Sequence, residues 1–257
     1  MQVVGIQLDV RDDEPVTARV DRMCSLIAEH RGADLVVLPE LWPNGGFAYQ
    51  TWTDTAERLN GPTCTAMRKA AADIGAWLHM GSFVERRDDG SLTNTSVIFD
   101  PHGEQRAIYR KIHLFGFGEG EPALMTSGED LVVVDTEIGK LGLSTCYDLR
   151  FPEMYRKLTD AGAVVMLIPA AWPASRVGHW TLLAQARAIE NQCVVVAVNT
   201  AGTHAGKKMG GHSIIVDAKG QILAEAGDDE AVLRVDVDLA GVANWRASFP
   251  VLDDRKL

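Results

Sequence analysis

No apolar run in this 257-residue sequence approaches the ~20 residues of a membrane span; the longest are short strand-like pieces such as Leu35–Pro39 and Val194–Val198. Basic residues are the minority. Twenty-five Lys and Arg stand against 35 Asp and Glu, for a net charge of −10 with neutral His. No basic run and no basic patch interleaved with aromatics occurs, so nucleic acid is not an expected partner. The acidic balance speaks for solubility rather than for a mechanism. Cysteine is sparse: Cys24, Cys64, Cys146 and Cys193, with no CxxC pair and no zinc-type Cys/His cluster. The first residues form a strand pattern, with no charged n-region, apolar h-region or small-residue cleavage site. The expectation is a cytoplasmic protein with free thiols. Pro/Ser-rich linkers, low-complexity stretches and internal repeats are missing as well, and the chain reads as one domain, residues 1–257.

What is present is an ordinary globular composition, 46% hydrophobic and 23% charged. The pattern predicts a strand over Val3–Leu8 and a helix over Val16–His30, with Val16, Val20, Met23 and Ile27 on one face. Leu35–Leu38 is a continuous apolar strand ending at Pro39-Glu40. A helix is expected from Pro62, a good first-turn residue, to Ile74. Strands follow at Leu78–Val84, Ser96–Phe99, Ala107–Tyr109, Leu131–Val134 and Leu141–Ser144. After a helix over Pro152–Ala161 come a strand at Val164–Ile168, a helix over Trp180–Asn191, and strands at Val194–Val198, Ser213–Val216, Ile222–Ala224 and Ala231–Val237. Alternating β and α argue for a layered α/β domain. The extra strands suggest two packed sheets with helices outside.

Three polar residues stand where buried strands end: Glu40, Lys111 and Cys146. Such positions are where α/β proteins place chemistry. Glu40 is either a solvated strand end or a general base held in a dry pocket. Lys111, in Tyr109-Arg110-Lys111-Ile112-His113-Leu114-Phe115, is either a surface charge or a fixed cation. As a cation it would stabilise an oxyanion and lower a neighbouring thiol pKa. Cys146 precedes Tyr147-Asp148-Leu149-Arg150-Phe151-Pro152-Glu153, at a strand-to-helix turn. A small buried hydrophobe is the plain alternative for any free cysteine. It suits Cys24 and Cys193 well, Cys64 less clearly, and Cys146 poorly, because charged residues follow it at once.

Taken together, these segments resemble the nitrilase superfamily of carbon–nitrogen hydrolases. The resemblance rests on Leu-Pro-Glu40, Tyr-Arg-Lys111-Ile-His-Leu-Phe, Cys146-Tyr-Asp-Leu-Arg-Phe-Pro-Glu and Gly178-His-Trp-Thr-Leu-Leu-Ala-Gln-Ala-Arg187-Ala-Ile-Glu190-Asn191, in that order. It implies a four-layer α-β-β-α sandwich, commonly dimerised across one helical face. It also implies a Glu–Lys–Cys triad, carried here by Glu40, Lys111 and Cys146, and a second glutamate. Glu121 matches that glutamate by its distance to Gly128, with Glu119 as its neighbouring rival. In those roles a thiolate attacks an amide carbon while Lys111 Nζ and the Tyr147 N–H receive the oxyanion. Glu40 shuttles the proton. No metal or cofactor is required.

The residues after Cys146 resemble the amidase branch that includes omega-amidase and the deaminated-glutathione amidases. The expected substrate is a small linear acid with a terminal carboxamide. N-carbamoyl amino-acid hydrolysis is the second enzymatic reading and nitrile hydrolysis the third; a thiol redox sensor or interaction protein is the non-enzymatic one. Tyr147, Phe117 and Trp172 are the expected substrate-pocket residues, with Phe115 as a further aromatic. Arg150 is expected to pair with Glu153 or Asp148, binding a substrate carboxylate being its other reading. Arg187 and Glu190 are spaced to pair with each other. The tail from Trp245 onward is amphipathic enough to reach a neighbour, consistent with the homodimer or higher homo-oligomer that the resemblance implies.

Overall fold

A computed structural model describes residues 1–256. Its frame is two six-stranded sheets. The first contains β1 (Gln2–Gln7), β2 (Leu35–Val37), β3 (Trp77–Arg86), β4 (Leu92–Phe99), β5 (Gln105–Arg110) and β14 (Ala231–Asp236), in the spatial order β14-β1-β2-β3-β4-β5. The second contains β6 (Val133–Thr136), β7 (Gly139–Leu143), β8 (Val165–Pro169), β9 (Val194–Val198), β12 (Ile214–Val216) and β13 (Ile222–Glu225). Its order is β13-β12-β9-β8-β7-β6. A separate ribbon pairs β10 (Thr203–His204) with β11 (Lys207–Lys208).

The sheets alternate their side chains between two apolar layers. Val3, Leu35, Val37 and Trp77 join Leu141, Leu143, Val165, Leu167 and Val196 in the layer between the sheets. Their sequence neighbours Val4, Ile6, Val36, Leu38 and Leu78 face the other way. There they meet Met23 and Ile27 of α1 (Val16–Ala28) and Met67, Ala71 and Ile74 of α3 (Pro62–Ile74). Two helices, α5 (Pro152–Asp160) and α6 (Val177–Asn191), cover the second sheet, with Tyr155, Leu158, Trp180, Ala184 and Ala188 in its apolar layer. The result is the expected α-β-β-α order of layers. Among the described residues no helix is long and apolar enough to cross a membrane.

Local chemistry accounts for the boundaries. Pro62 opens α3, and Gly75 closes it in the left-handed conformation, φ 68°. Gly81 has φ 69°, and a Cβ there would lie 1.9 Å from the Pro39 carbonyl oxygen. Only glycine lets β3 pass this close to the segment that carries Glu40.

Four features depart from the sequence expectation. β4 begins at Leu92 rather than Ser96, because Thr93, Asn94 and Thr95 are buried by polar partners instead of apolar packing. Two one-turn helices, α2 (Trp52–Thr55) and α4 (Glu121–Leu124), sit in stretches without periodicity. The β10–β11 ribbon was not anticipated. Finally, α7 (Leu239–Ser248) forms where only an amphipathic tail was foreseen; Asp238 caps it by accepting the Gly241 N–H at 3.0 Å.

Candidate active site

Glu40, Lys111 and Cys146 come from three strand ends that the sandwich brings together. Glu40 follows β2, where the chain leaves its sheet: its N–H donates to Ala170 O of the second sheet at 3.3 Å. Lys111 follows β5, and its N–H donates to Asn94 O at 2.9 Å. Cys146 follows β7 and opens a 3-10 turn, Cys146–Arg150. It has φ 48°, left-handed for a residue with a Cβ. A capping box holds that strained turn: Thr145 N–H donates to Asp148 Oδ2 at 2.8 Å, and the Tyr109 hydroxyl donates to the same oxygen at 2.6 Å. The His113 N–H donates to Asp148 Oδ1 at 3.0 Å.

A closed network of charges lies beside the thiol. Lys111 Nζ donates to Glu40 Oε1 and to Glu121 Oε2, each at 2.7 Å. Asn94 Nδ2 donates to Glu40 Oε1 at 2.8 Å and to Glu121 Oε1 at 2.6 Å. The Ala171 N–H donates to Glu40 Oε2 at 2.7 Å, and the Phe115 N–H to Glu121 Oε2 at 2.6 Å. All four side chains are buried. Glu121 is therefore the second glutamate of the cluster, while its rival Glu119 is exposed on the preceding loop.

Burial works against the charge of Lys111, yet Glu121 and Glu40 outweigh it and raise its pKa well above the ordinary lysine value. Burial also raises the Glu121 carboxyl, opposed by Lys111 and reinforced by Glu40. The thiol departs from expectation. Burial first, then the neighbouring Glu40 carboxylate, push Cys146 well above 9.0; Lys111 only partly offsets them. Burial and the Glu40 carboxylate beside it favour the neutral thiol. The exposed, low-pKa cysteine that a redox sensor requires is not what this geometry offers.

The cleft over Cys146 is narrow, about 20 Å³, room for little more than one water-sized group. Phe47, Phe115, Tyr147, Trp172, Arg150 and Arg176 line it. It adjoins an outer cavity of about 660 Å³ that shares Phe47, Phe115 and Arg176. Tyr147 and Trp172 thus lie at the thiol. Phe117 does not: it is 82% exposed and lines only the outer cavity, packed edge-on against Phe115. The glycines on either side of it, Gly116 and Gly118, carry the loop outward with positive φ.

Arg150 is also corrected. It pairs with neither Glu153 nor Asp148; its guanidinium lies over the Trp172 ring at 4.7 Å and reaches His179 Nδ1 at 3.3 Å. Asp148 is occupied by the capping box and His113. Arg187 does pair with Glu190, at 2.7 Å. Sequence reasoning missed Asn94, Phe47 and Arg176. Asn94 sits in a polar strand segment that reads as a loop, and the other two are brought to the thiol only by the tertiary fold.

The carbon-nitrogen hydrolase family model matches residues 3–247. A 2-oxoglutaramate amidase of Paenarthrobacter nicotinovorans is 44% identical over 263 residues, covering 100% of this chain and 90% of its own length. Among solved structures, the CN-hydrolase superfamily protein XC1258 of Xanthomonas campestris superposes with a TM-score of 0.93 at 32% identity. That match covers 100% of this chain and 97% of the other, and the XC1258 structure carries an arsenic adduct in its active site. An amidase from Nesterenkonia sp. AN1, with acrylamide added to its active-site cysteine, gives a TM-score of 0.84 at 27% identity and covers 98% of both chains.

Proposed function

This chain belongs to the carbon–nitrogen hydrolase family, within the nitrilase superfamily, and from that premise we propose that it is an amidase of short monoamides of dicarboxylic acids. The observation that carries the reading is a buried thiol beside a Lys-held carboxylate, in a cleft whose walls include two guanidiniums. The 2-oxoglutaramate amidase relative acts, by its name, on a substrate of that class.

The chemistry follows from the arrangement. As Cys146 Sγ bonds to the amide carbon, its proton passes to Glu40. Lys111 Nζ has two hydrogens engaged by glutamates and a third free for the substrate oxygen. The Tyr147 N–H, on the turn behind the thiol, is the second donor to the oxyanion. The carbon–nitrogen bond breaks as Glu40 returns the proton to nitrogen, and ammonia leaves. Glu40 then takes a proton from water as its oxygen attacks the thioester; the carbon–sulfur bond breaks and the thiol is reprotonated.

The narrow inner cleft suits a carboxamide, and Arg150 and Arg176 suit a distal carboxylate. Neither guanidinium is paired with a carboxylate among the described residues: Arg150 stacks on Trp172, and Arg176 lies over Phe115 at 5.3 Å. Arg176→Gln and, separately, Arg150→Gln are expected to raise KM about tenfold for succinamate, glutaramate or ketoglutaramate, while hydrolysis of neutral aliphatic amides stays unchanged. Ammonia release across that panel is the test. Equal loss on neutral and acidic amides removes the carboxylate subsite. Silence on every amide, with carbon dioxide released from carbamoyl amino acids, replaces the amidase reading.

Four free cysteines fit a reducing cytoplasm. A homodimer completes the reading. Leu182 and Ile189 of α6 are 66% and 54% exposed, and Phe249, whose carbonyl accepts from Gln192 just beyond α6, is 51% exposed. Such apolar exposure marks an interface. Light scattering is expected to give twice the 27.9 kDa chain mass, and Leu182→Glu to reduce it to the monomer; a wild-type monomer removes this part.

A further inference from the structure

We propose that Asn94 is a positioning residue that keeps Glu40 and Glu121 ionised together and leaves Glu40 Oε2 as the oxygen that exchanges protons with Cys146 and the substrate. The proposal rests on the triad reading above.

Two carboxylates and one ammonium share a buried site, so the cluster carries an excess negative charge. Two carboxylates this close ordinarily do not both stay ionised; one takes a proton. A protonated Glu40 has no room for the thiol proton, and a protonated Glu121 loosens its hold on Lys111. One ammonium with three hydrogens is not enough to prevent this, because one of its hydrogens is reserved for the substrate oxygen. Asn94 supplies the missing donors without adding charge. Its Nδ2 carries two hydrogens, and each goes to a different glutamate, at 2.8 Å and 2.6 Å. Together with the two Lys111 bonds this closes a ring: Glu40 Oε1, Lys111 Nζ, the Glu121 carboxylate, Asn94 Nδ2 and back to Glu40 Oε1. The amide orientation follows from chemistry, since the reverse would set Asn94 Oδ1 against two carboxylates. Asn94 Oδ1 itself is buried with no hydrogen-bond partner, a cost kept only if the Nδ2 contacts return more.

The ring also distinguishes the two oxygens of Glu40. Oε1 accepts from both Asn94 and Lys111. Oε2 accepts only from the Ala171 N–H. Oxygen lone pairs number two, so Oε1 is filled and Oε2 keeps one open. The thiol proton therefore goes to Oε2, passes from it to the leaving nitrogen, and is replaced there by a proton from water. Asn94 acts through Glu40 and touches neither thiol nor substrate in this scheme. Its placement is built into the backbone: Lys111 N–H donates to Asn94 O at 2.9 Å, which sets the two side chains at one level.

The test is the pH profile of Asn94→Leu, which keeps the shape and removes both donors, with Asn94→Ser, which keeps one donor, beside it. Losing the donors raises the carboxylate pKa, so the acid limb of kcat/KM is expected to move up by about one pH unit in Asn94→Leu. Asn94→Ser is expected to fall between Asn94→Leu and the wild type. The rate of Cys146 alkylation by iodoacetamide, followed against pH, is expected to show the same shift. Alkylation reads the thiol and its base whatever the substrate, so it stands even if no amide in the panel is turned over. Should Asn94→Leu fail to fold, Asn94→Ser alone decides. An acid limb left in place by the folded variants, in turnover or in alkylation, overturns the proposal, even if kcat falls.

Discussion

Cys146→Ala is expected to lower ammonia release by at least about 10⁴-fold, because nothing else in the cleft can form the covalent intermediate. The other cysteines are no substitutes. Cys64 and Cys193 are buried, with thiols pushed up to about 12 chiefly by burial, and neither lines the cleft. The fold is expected to survive. The side chain removed is small, and the capping box of Thr145 and Asp148 that shapes the turn involves no sulfur. Alanine at φ 48° bears the same strain as cysteine. Circular dichroism and Tm should match wild type within a few degrees. Mass spectrometry with a slow amide should show an acyl adduct on the wild type and none on the variant. Turnover within tenfold of wild type would end the thioester mechanism.

Lys111→Met is expected to damage activity and stability together. Methionine fills similar space but leaves Glu40 and Glu121 buried with no cation between them. Breaking a buried charge cluster by removing one partner costs about 3–5 kcal/mol. In a domain of this size that corresponds to a Tm lower by roughly 10 °C. Part of the loss should be recovered at mildly acidic pH, where one glutamate takes a proton and the repulsion falls. Activity should not recover with it, because the oxyanion has lost its charged donor and a protonated Glu40 accepts nothing from the thiol. Losing one oxyanion donor alone is worth about 10²–10³ in kcat. Thermal unfolding and ammonia release followed over pH separate the two effects. A variant as stable as wild type would mean that the two glutamates already share a proton.

The two variants probe different layers of the same design. The Cys146 thiol, the proposed nucleophile, makes no hydrogen bond that holds the fold, whereas Lys111 joins the two glutamates and through Glu40 ties the strand ends of both sheets. Glu40 accepts from Ala171 of the second sheet and from Lys111 and Asn94 of the first. The sandwich is therefore closed at this end by the same groups that are proposed to carry the reaction.

Much of this was legible along the chain. Apolar periodicity placed α1, α3 and the buried strands, since burial of a repeating face is a local signal. Ordered motifs singled out Glu40, Lys111 and Cys146; Glu40 ends a buried apolar strand as expected, whereas β5, which precedes Lys111, is polar and mostly only half-buried or exposed. The polar segment Thr93-Asn94-Thr95 carried no such signal. Its burial depends on Glu85, which accepts from the Thr93 and Thr95 hydroxyls, and on the two glutamates facing Asn94. Partners that distant in sequence are invisible to a local pattern. The thiol pKa reversed its expected direction for the same reason: a nearby lysine is readable, but desolvation is a property of the closed cleft. Moving Phe117 to the outer cavity and freeing Arg150 from Asp148 were likewise decisions of the tertiary structure, whereas Glu121 was already preferred over Glu119 by its distance to Gly128. By itself, then, the sequence determined the alternation of strands and helices through local patterning, while its resemblance to a known family implied the layer order and the reactive residues. The tertiary structure decided which charges share a dry space, because desolvation and hydrogen-bond geometry arise only when both sheets have closed over them.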